Sequence, residues 1–375
     1  MELETKNHML MPYLPHELII QILLRLPVKS LIRFKCVCKS WFSIISDSHF
    51  ANSQFELTVA THTHRVLFIA TVSPHETLSI DLEASLDDDS SIVSLNPNFI
   101  PSEPSPYIEI KGSCRGFILF LYRRSSFYLW NPSTGVHKNI PLSPLSFILE
   151  GEADYFYGFG YDRSTDDYLV VSMSSHTHSS YLEFFSLRAN TWKQIDYEGT
   201  DFHYLNATEE YDPKVGFLFN GAIHWLVFSL DLKKDAILAF DLMEWTLLDM
   251  PLPDEVDYEL DSSGLWVFQE FLSIWSRNYD NDTVEIWVMK EYKLHSSWTK
   301  THVLSTDAIP TKNFSPLRST KSGDIVGADD HTGLVKYNDE RQLLGHHSYS
   351  NNPHEFQVAV YTESLLSLAG DNVQA

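Results

Sequence analysis

Leu14 to Phe50 reads LPHELIIQILLRLPVKSLIRFKCVCKSWFSIISDSHF, and the rest of the chain is organised around it. Pro15 suits a first helical position, and Glu17 places a carboxylate in the first turn, at the positive end of the helix dipole. From Leu18 to Leu26 only Gln21 and Arg25 are polar. A helix resting on one core needs an apolar stripe of roughly 100°. This one is apolar nearly all round, so two of its faces need covering. Pro27 stops it, because proline lacks the amide hydrogen and biases the preceding residue away from helical angles. Ser30 is the expected cap of a second helix. There Leu31, Phe34 and Cys38 recur at helical spacing, and Trp41, Phe42, Ile44 and Ile45 carry the apolar character onward.

A helical unit this short rarely builds a core that stands alone. Its surplus apolar surface therefore belongs to a partner or to the rest of the chain. Leu14-Pro15, Glu17, Ile22, Leu26-Pro27, Leu31, Arg33-Phe34 and Val37-Cys38-Lys39-Ser40-Trp41 resemble an F-box. The resemblance implies docking on a Skp-family adaptor, and through it on the cullin and RING subunits of a ubiquitin ligase. It places Leu14, Pro15, Leu18, Ile22, Leu26, Pro27, Leu31 and Ile32 at the adaptor. The alternative is a helical cap packed wholly on its own chain, which accounts for the pattern but not for the all-round apolarity.

At 375 residues the chain holds a small helical module plus one large domain, or two medium ones, and 43% hydrophobic with 13% aromatic residues describes a globular protein. Cys36, Cys38 and Cys114 lack the spacing of a zinc site and fit buried thiols in a reducing compartment. The opening MELETKNHML has no apolar run of signal length, and Leu18 to Leu26 is far short of the ~20 residues of a membrane span. The expectation is an intracellular protein, cytoplasmic and/or nuclear, without membrane contact.

The formal charge of -23 is uneven. Residues 1 to 52 carry six Lys/Arg and four acids, and the remainder 21 and 46, a balance of -25. Such a field repels nucleic acid and attracts basic proteins. It equally serves to keep a large β surface soluble.

From Phe55 onward short β-type runs separated by turn residues replace the helical period. Leu86 to Ser105, rich in Asp and Pro, is the expected long connection. Ile80, Trp130, Phe185, Phe240, Trp287 and Tyr337 each end an apolar strand before a polar turn, at gaps of 50, 55, 55, 47 and 50 residues. That period matches kelch-type propeller blades. Six anchors predict roughly six blades of four strands, stacked radially because a single blade cannot bury both faces. Glu355 to Tyr361 alternates like a strand and is expected to close the ring against Phe55 to Thr61. An irregular β-sandwich is the competing architecture.

Further landmarks follow in order: Gly112-Ser113-Cys114-Arg115-Gly116, Trp130-Asn131-Pro132-Ser133-Thr134-Gly135, Gly158-Phe159-Gly160-Tyr161-Asp162 with Asp166-Asp167-Tyr168, Asn220-Gly221-Ala222-Ile223-His224-Trp225 and Tyr361-Thr362-Glu363-Ser364-Leu365. With the N-terminal motif they resemble the plant F-box-associated domain of the F-box/kelch-repeat group, which includes regulators of immune receptors and the S-locus F-box proteins. Arg115 departs from that group, where a small or polar residue such as Asn is more usual. The turn residues have physical reasons: proline fixes φ, glycine accepts φ > 0, and Asn-Gly is a strong hairpin signal. Trp130, Trp225, Trp266, Trp275 and Trp287 are candidate wedges between blades. The fold class expected is α+β multidomain, with an all-α F-box over residues 10–52, a kelch-like all-β propeller over 55–366 and a tail over 367–375.

Chemistry of other kinds has little support. No phosphate-cradling glycine motif or GxSxG elbow occurs. Among 17 histidines, His62/His64 and His176/His178 place two imidazoles on one strand face, without an obvious third metal ligand. Acid pairs such as Asp166-Asp167 and Asp254-Glu255 carry no cue that selects them for acid-base work. The expectation is no enzyme, no cofactor and no metal, but a substrate receptor of a Skp-cullin-F-box ligase. Recognition is expected on the connections Leu86 to Pro106, Tyr197 to Lys214, Asp254 to Ser263 and Ala308 to Gly323. Asp196, Glu198, Asp201, Glu209, Glu210 and Asp212 form the first candidate for a basic target; a solvated linker accounts for them as well. A carbohydrate-binding or hydrolytic propeller tethered by the F-box, and a non-degradative adaptor-binding scaffold, are the rival readings.

Overall fold

A computed structural model describes residues 14–61, 64–71, 76–86, 88–97, 99–100, 107–123, 125–144, 154–176, 179–195, 204–205, 215–229, 233–253, 262–329, 332–349 and 356–368. The described residues begin with four helices: α1 (His16–Leu24), α2 (Val28–Phe34), α3 (Lys39–Ile45) and α4 (Ser48–Ala60). The Pro15 carbonyl accepts the first amides of α1, from Leu18 at 3.0 Å and Ile19 at 3.2 Å.

The helical region differs from expectation in two places. The single second helix is two helices. Pro27, not Ser30, is the cap of α2, and the chain breaks after Phe34 because Cys38 turns extended at φ -161° and its Sγ accepts the Trp41 amide at 3.5 Å, starting α3. Helix α4 also runs well past Phe55. Phe55-Glu56-Leu57-Thr58-Val59 alternates apolar and polar residues in strand fashion, yet Phe50, Ala51, Gln54 and Phe55 are buried together at helical spacing. Asp47 caps this helix by accepting the Phe50 amide at 2.9 Å.

The strands follow in six antiparallel blades. The first contains β1 (His64–Ala70), β2 (Thr77–Asp81) and β3 (Ile92–Leu95). The second contains β4 (Ile108–Cys114), β5 (Phe117–Tyr122), β6 (Ser126–Trp130) and β7 (His137–Pro141), the third β8 (Asp154–Asp162), β9 (Asp167–His176), β10 (Ser179–Ser186) and β11 (Thr191–Ile195). In the fourth, β12 (Tyr204–Leu205) and β13 (Phe217–Phe219) both pair with β14 (Ala222–Ser229), which leads to β15 (Lys234–Asp241) and β16 (Leu247–Pro251). The fifth holds β17 (Ser263–Phe268), β18 (Phe271–Asn278), β19 (Thr283–Met289) and β20 (Trp298–Ser305), and the sixth β21 (Ser315–Ser319), β22 (Ile325–Asp329), β23 (Gly333–Tyr337) and β24 (Leu343–Ser348). The last strand, β25 (Phe356–Thr362), returns to the first blade as its innermost member, beside β1.

This is the expected helical module and six-bladed propeller. Ile80, Trp130, Phe185, Phe240, Trp287 and Tyr337 all fall on the third strand of their blades. The ring closes elsewhere than expected: β25 pairs with β1, from His64↔Thr362 to Ala70↔Phe356, while Phe55 to Ala60 is helix. Nor is Leu86 to Ser105 wholly connection, since β3 lies inside it, and Ala308 to Gly323 contains β21.

Between blades the packing is tight. Trp225 on β14 is fully buried and its Nε1 donates to the Tyr157 carbonyl of the neighbouring blade at 3.0 Å. Glycine at 158 and at 216 makes room for it: a Cβ on Gly216 would lie 2.7 Å from the indole nitrogen, and one on Gly158 would lie 3.1 Å from the ring. Trp130 joins the core shared by the first two blades and Trp266 that of the last two.

Candidate functional site

Leu14, Leu18 and Ile22 recur every fourth residue along α1 and its approach, and so lie on one face. They are 48%, 51% and 52% exposed. The other side of α1 is covered: Leu23 is fully buried, and Ile19, Ile20 and Leu24 pack on the same core. One of the two apolar faces is therefore satisfied by the chain itself and one is open. Of the remaining expected adaptor residues, Pro15 and Pro27 are exposed and Leu26 and Ile32 are half-buried. Leu31 is a correction: it is 0% exposed, inside the core with Val28, Ile45 and Phe50, and so supports the surface without belonging to it. Val37 and Phe42 are also exposed, at the α2–α3 corner.

Helix α4 seats the module on the propeller. Arg115, in the turn between β4 and β5, adopts a left-handed φ of 49°. Its guanidinium lies between two rings, 4.9 Å from Phe55 of α4 and 4.3 Å from Tyr161 at the end of β8. It donates to Asn52 Oδ1 at 2.6 Å and to Glu56 Oε1 at 3.2 Å. The residue that departs from the expected turn pattern is thus a staple between helix and blades. Burial pushes the adjoining Cys114 thiol up to about 12, so it stays a protonated, packed group. The C-terminal segment completes the floor: Asn131 Nδ2 donates to the Ser364 carbonyl at 3.1 Å and the Leu366 carbonyl at 3.2 Å. Leu365, Leu366 and Leu368 then share one core with Leu23, Phe50 and Phe55.

Residues 11–52 match the F-box domain, and residues 68–363 match the F-box associated beta propeller domain. The chain belongs to the F-box associated propeller family. It is 30% identical over 345 residues to an F-box/kelch-repeat protein of Arabidopsis thaliana, covering 89% of this chain and 90% of that one. Against the Arabidopsis thaliana F-box protein CPR1 the identity is 26%, covering 96% and 91%.

In this F-box protein the two faces of the propeller are unequal. The innermost strands run in the same direction, as the parallel bridge between Tyr157 and Val215 shows for the third and fourth blades. First-to-second and third-to-fourth turns therefore gather at one end, among them Arg115-Gly116, Asn131 to Val136, Asn220-Gly221 and Gln269-Glu270. The F-box helices sit on this end. The second-to-third and fourth-to-first connections leave from the other. Asp196, Glu198, Asp201, Glu209, Glu210 and Asp212 lie outside the described residues, as do Asp254 and Glu255.

The other polar groups singled out in the sequence are architectural where they are described. Asp167 is buried and accepts from Ser186 Oγ and, at 2.9 Å, from the Arg188 amide, whereas Asp166 accepts from the Tyr161 hydroxyl. The two carboxylates serve different turns. His62 and His178 fall outside the described residues. Among the described residues no three His, Cys, Asp or Glu side chains converge as metal ligands, and no helix is long and apolar enough to cross a membrane.

Proposed function

We propose that this F-box protein is the substrate-recognition subunit of a Skp-cullin-F-box ubiquitin ligase, with α1 docking on a Skp-family adaptor and the propeller holding the target protein. The observation that carries the reading is the open face of Leu14, Leu18 and Ile22 on a helical module firmly seated on the blades. Exposure of a row of aliphatic side chains to water is unfavourable, and burying it lowers the free energy by about 25 cal/mol per Å². The adaptor provides that burial. The cullin and RING subunits follow through the adaptor, in the cytoplasm or nucleus. The propeller contributes no reacting group: it raises the effective concentration of a target lysine near the ubiquitin thioester carried by another subunit.

Recognition falls to the loops at blade ends, which vary without disturbing the scaffold. The balance of -25 over residues 53 to 375 favours a basic target and speeds its encounter at low salt. The reading is tested by titrating purified adaptor into the full chain. Leu18→Asp/Ile22→Asp is expected to weaken binding by at least about a hundredfold, since two charges would be buried against apolar groups, without lowering the melting temperature. Unchanged affinity of that variant overturns the assignment.

A further inference from the structure

On the end of the propeller that bears the F-box, but three blades away around the ring, a cleft of about 460 Å³ opens between the fifth and sixth blades. One wall is the β17–β18 turn with Gln269, Glu270 and Phe271, and the other is the end of β21 with Arg318, Ser319 and Lys321. Gln269 is held at a left-handed φ of 55°, and its amide donates to Ser319 Oγ at 3.2 Å, which ties the walls together at the base.

Strand β21 is bulged here. Its register with β22 slips between Pro316 and Arg318, so that Leu317 is the extra residue. A bulge re-aims the side chain that follows it, and Arg318 lines the cleft. Arg318 is half-buried, yet among the described residues its guanidinium forms no ion pair and no hydrogen bond. In a chain with 50 acids and 27 Lys/Arg, a half-buried cation without a carboxylate is the exception. Burial also pulls it below the usual arginine range. Lys321 adds a second cation at the rim, its backbone amide held by the Glu83 carboxylate at 3.2 Å. Glu270 is the one carboxylate in the lining and is not paired with Arg318. Within the lining two cations face the one carboxylate of Glu270, while the Glu83 carboxylate is engaged at the Lys321 backbone amide.

We propose that this cleft binds an oxyanion, a phosphate monoester or a carboxylate, carried on a peptide segment of the recruited protein. Arg318 supplies the planar fork that suits either group, and Lys321 supplies a point charge. That the segment belongs to the recruited protein rests on the substrate-receptor reading; the presence of the oxyanion site does not. A basic target steered by the acidic field is thereby pinned at one anionic residue, a combination that few proteins meet by chance.

The test uses the full chain without any ligase subunit, so its failure leaves adaptor binding untouched. Immobilised degenerate peptide libraries centred on phosphoserine, glutamate or serine are compared, with inorganic phosphate as a competitor at constant ionic strength. The phosphoserine or glutamate library is expected to bind at least about tenfold more tightly than the serine library, and Arg318→Met and Lys321→Gln each to remove most of that preference. Because Arg318 is uncompensated, Arg318→Met is expected to melt no lower than the wild type. A lower melting temperature with peptide preference intact would assign Arg318 to packing. Equal binding of all three libraries overturns the site, and competition by inorganic phosphate without peptide preference overturns its assignment to a peptide-borne group.

Discussion

At the scale of single residues, His224 shows how a landmark of the sequence acts as architecture. It lies on β14, fully buried, with Nδ1 at 3.2 Å from the Phe217 carbonyl and Nε2 at 2.8 Å from the Tyr292 hydroxyl. Burial pulls its pKa down to about 4, and burial pushes Tyr292 up to about 12, so the pair is neutral, with Nδ1 donating and Nε2 accepting. The unfolded chain takes up a proton near 6.5 and the folded one only near 4. Stability contributed by His224 is therefore present above pH 6.5 and lost as pH falls toward 4, at up to about 1.4 kcal/mol per pH unit. Replacing it with glutamine removes that titration. The stability gap between wild type and His224→Gln, measured by urea unfolding, is expected to narrow by about 2 kcal/mol between pH 7 and pH 5; parallel curves would contradict the buried neutral imidazole. Nothing in the sequence around Asn220-Gly221-Ala222-Ile223-His224 announces this, because the partner Tyr292 stands 68 residues away.

At the scale of elements, the anchors Ile80, Trp130, Phe185, Phe240, Trp287 and Tyr337 were legible because each blade repeats the same demand: an apolar third strand followed by a polar turn. Elements that serve only one place were not. Helix α4 presents a strand-like alternation at Phe55 to Val59, and what makes it helical is burial of Phe50, Ala51, Gln54 and Phe55 on one stripe against the rest of the molecule. Strand β25 looked free to pair with any early edge, and only the finished ring selects β1. A chain ending at residue 355 would leave the first blade without its innermost strand and the helices without Leu365, Leu366 and Leu368. Those losses exceed the ~5–15 kcal/mol by which domains of this size are stable. The truncated protein is expected to lose its near-ultraviolet circular dichroism and its cooperative unfolding. Retention of a sharp transition would show that the ring closes without β25.

At the scale of the whole molecule, closure explains where the F-box sits. Because β25 is the innermost strand of the first blade and β1 the second, the start of β1 and the end of β25 emerge on the same end of the ring. The helices before β1 and the segment after β25 must then meet, and they do so in one core with the second and third blades. Two domains that share a core unfold together. Calorimetry is expected to give a single transition, and Arg115→Ala, which removes two ring contacts and the bond to Asn52, to lower its midpoint by about 2–4 °C, from roughly 2 kcal/mol. Arg115→Lys keeps the charge but loses the fork and is expected to recover only part. Separate melting of helices and blades in the wild type would refute the shared core.

The sequence by itself determined the helical start, the six-fold β repeat and the apolar excess of α1, because each is written in local periodicity that short-range physics enforces. Tertiary structure alone decided which half of that excess stays open, that Leu31 turns inward while Leu18 and Ile22 turn outward, and that an arginine with no partner among the described residues lines a cleft between two blades. Those outcomes depend on neighbours that folding brings together, from Val28, Ile45 and Phe50 around Leu31 to Gln269 and Arg318, 49 residues apart, at the cleft. No local pattern carries that information, since burial is a property of the closed ring and not of any segment of it.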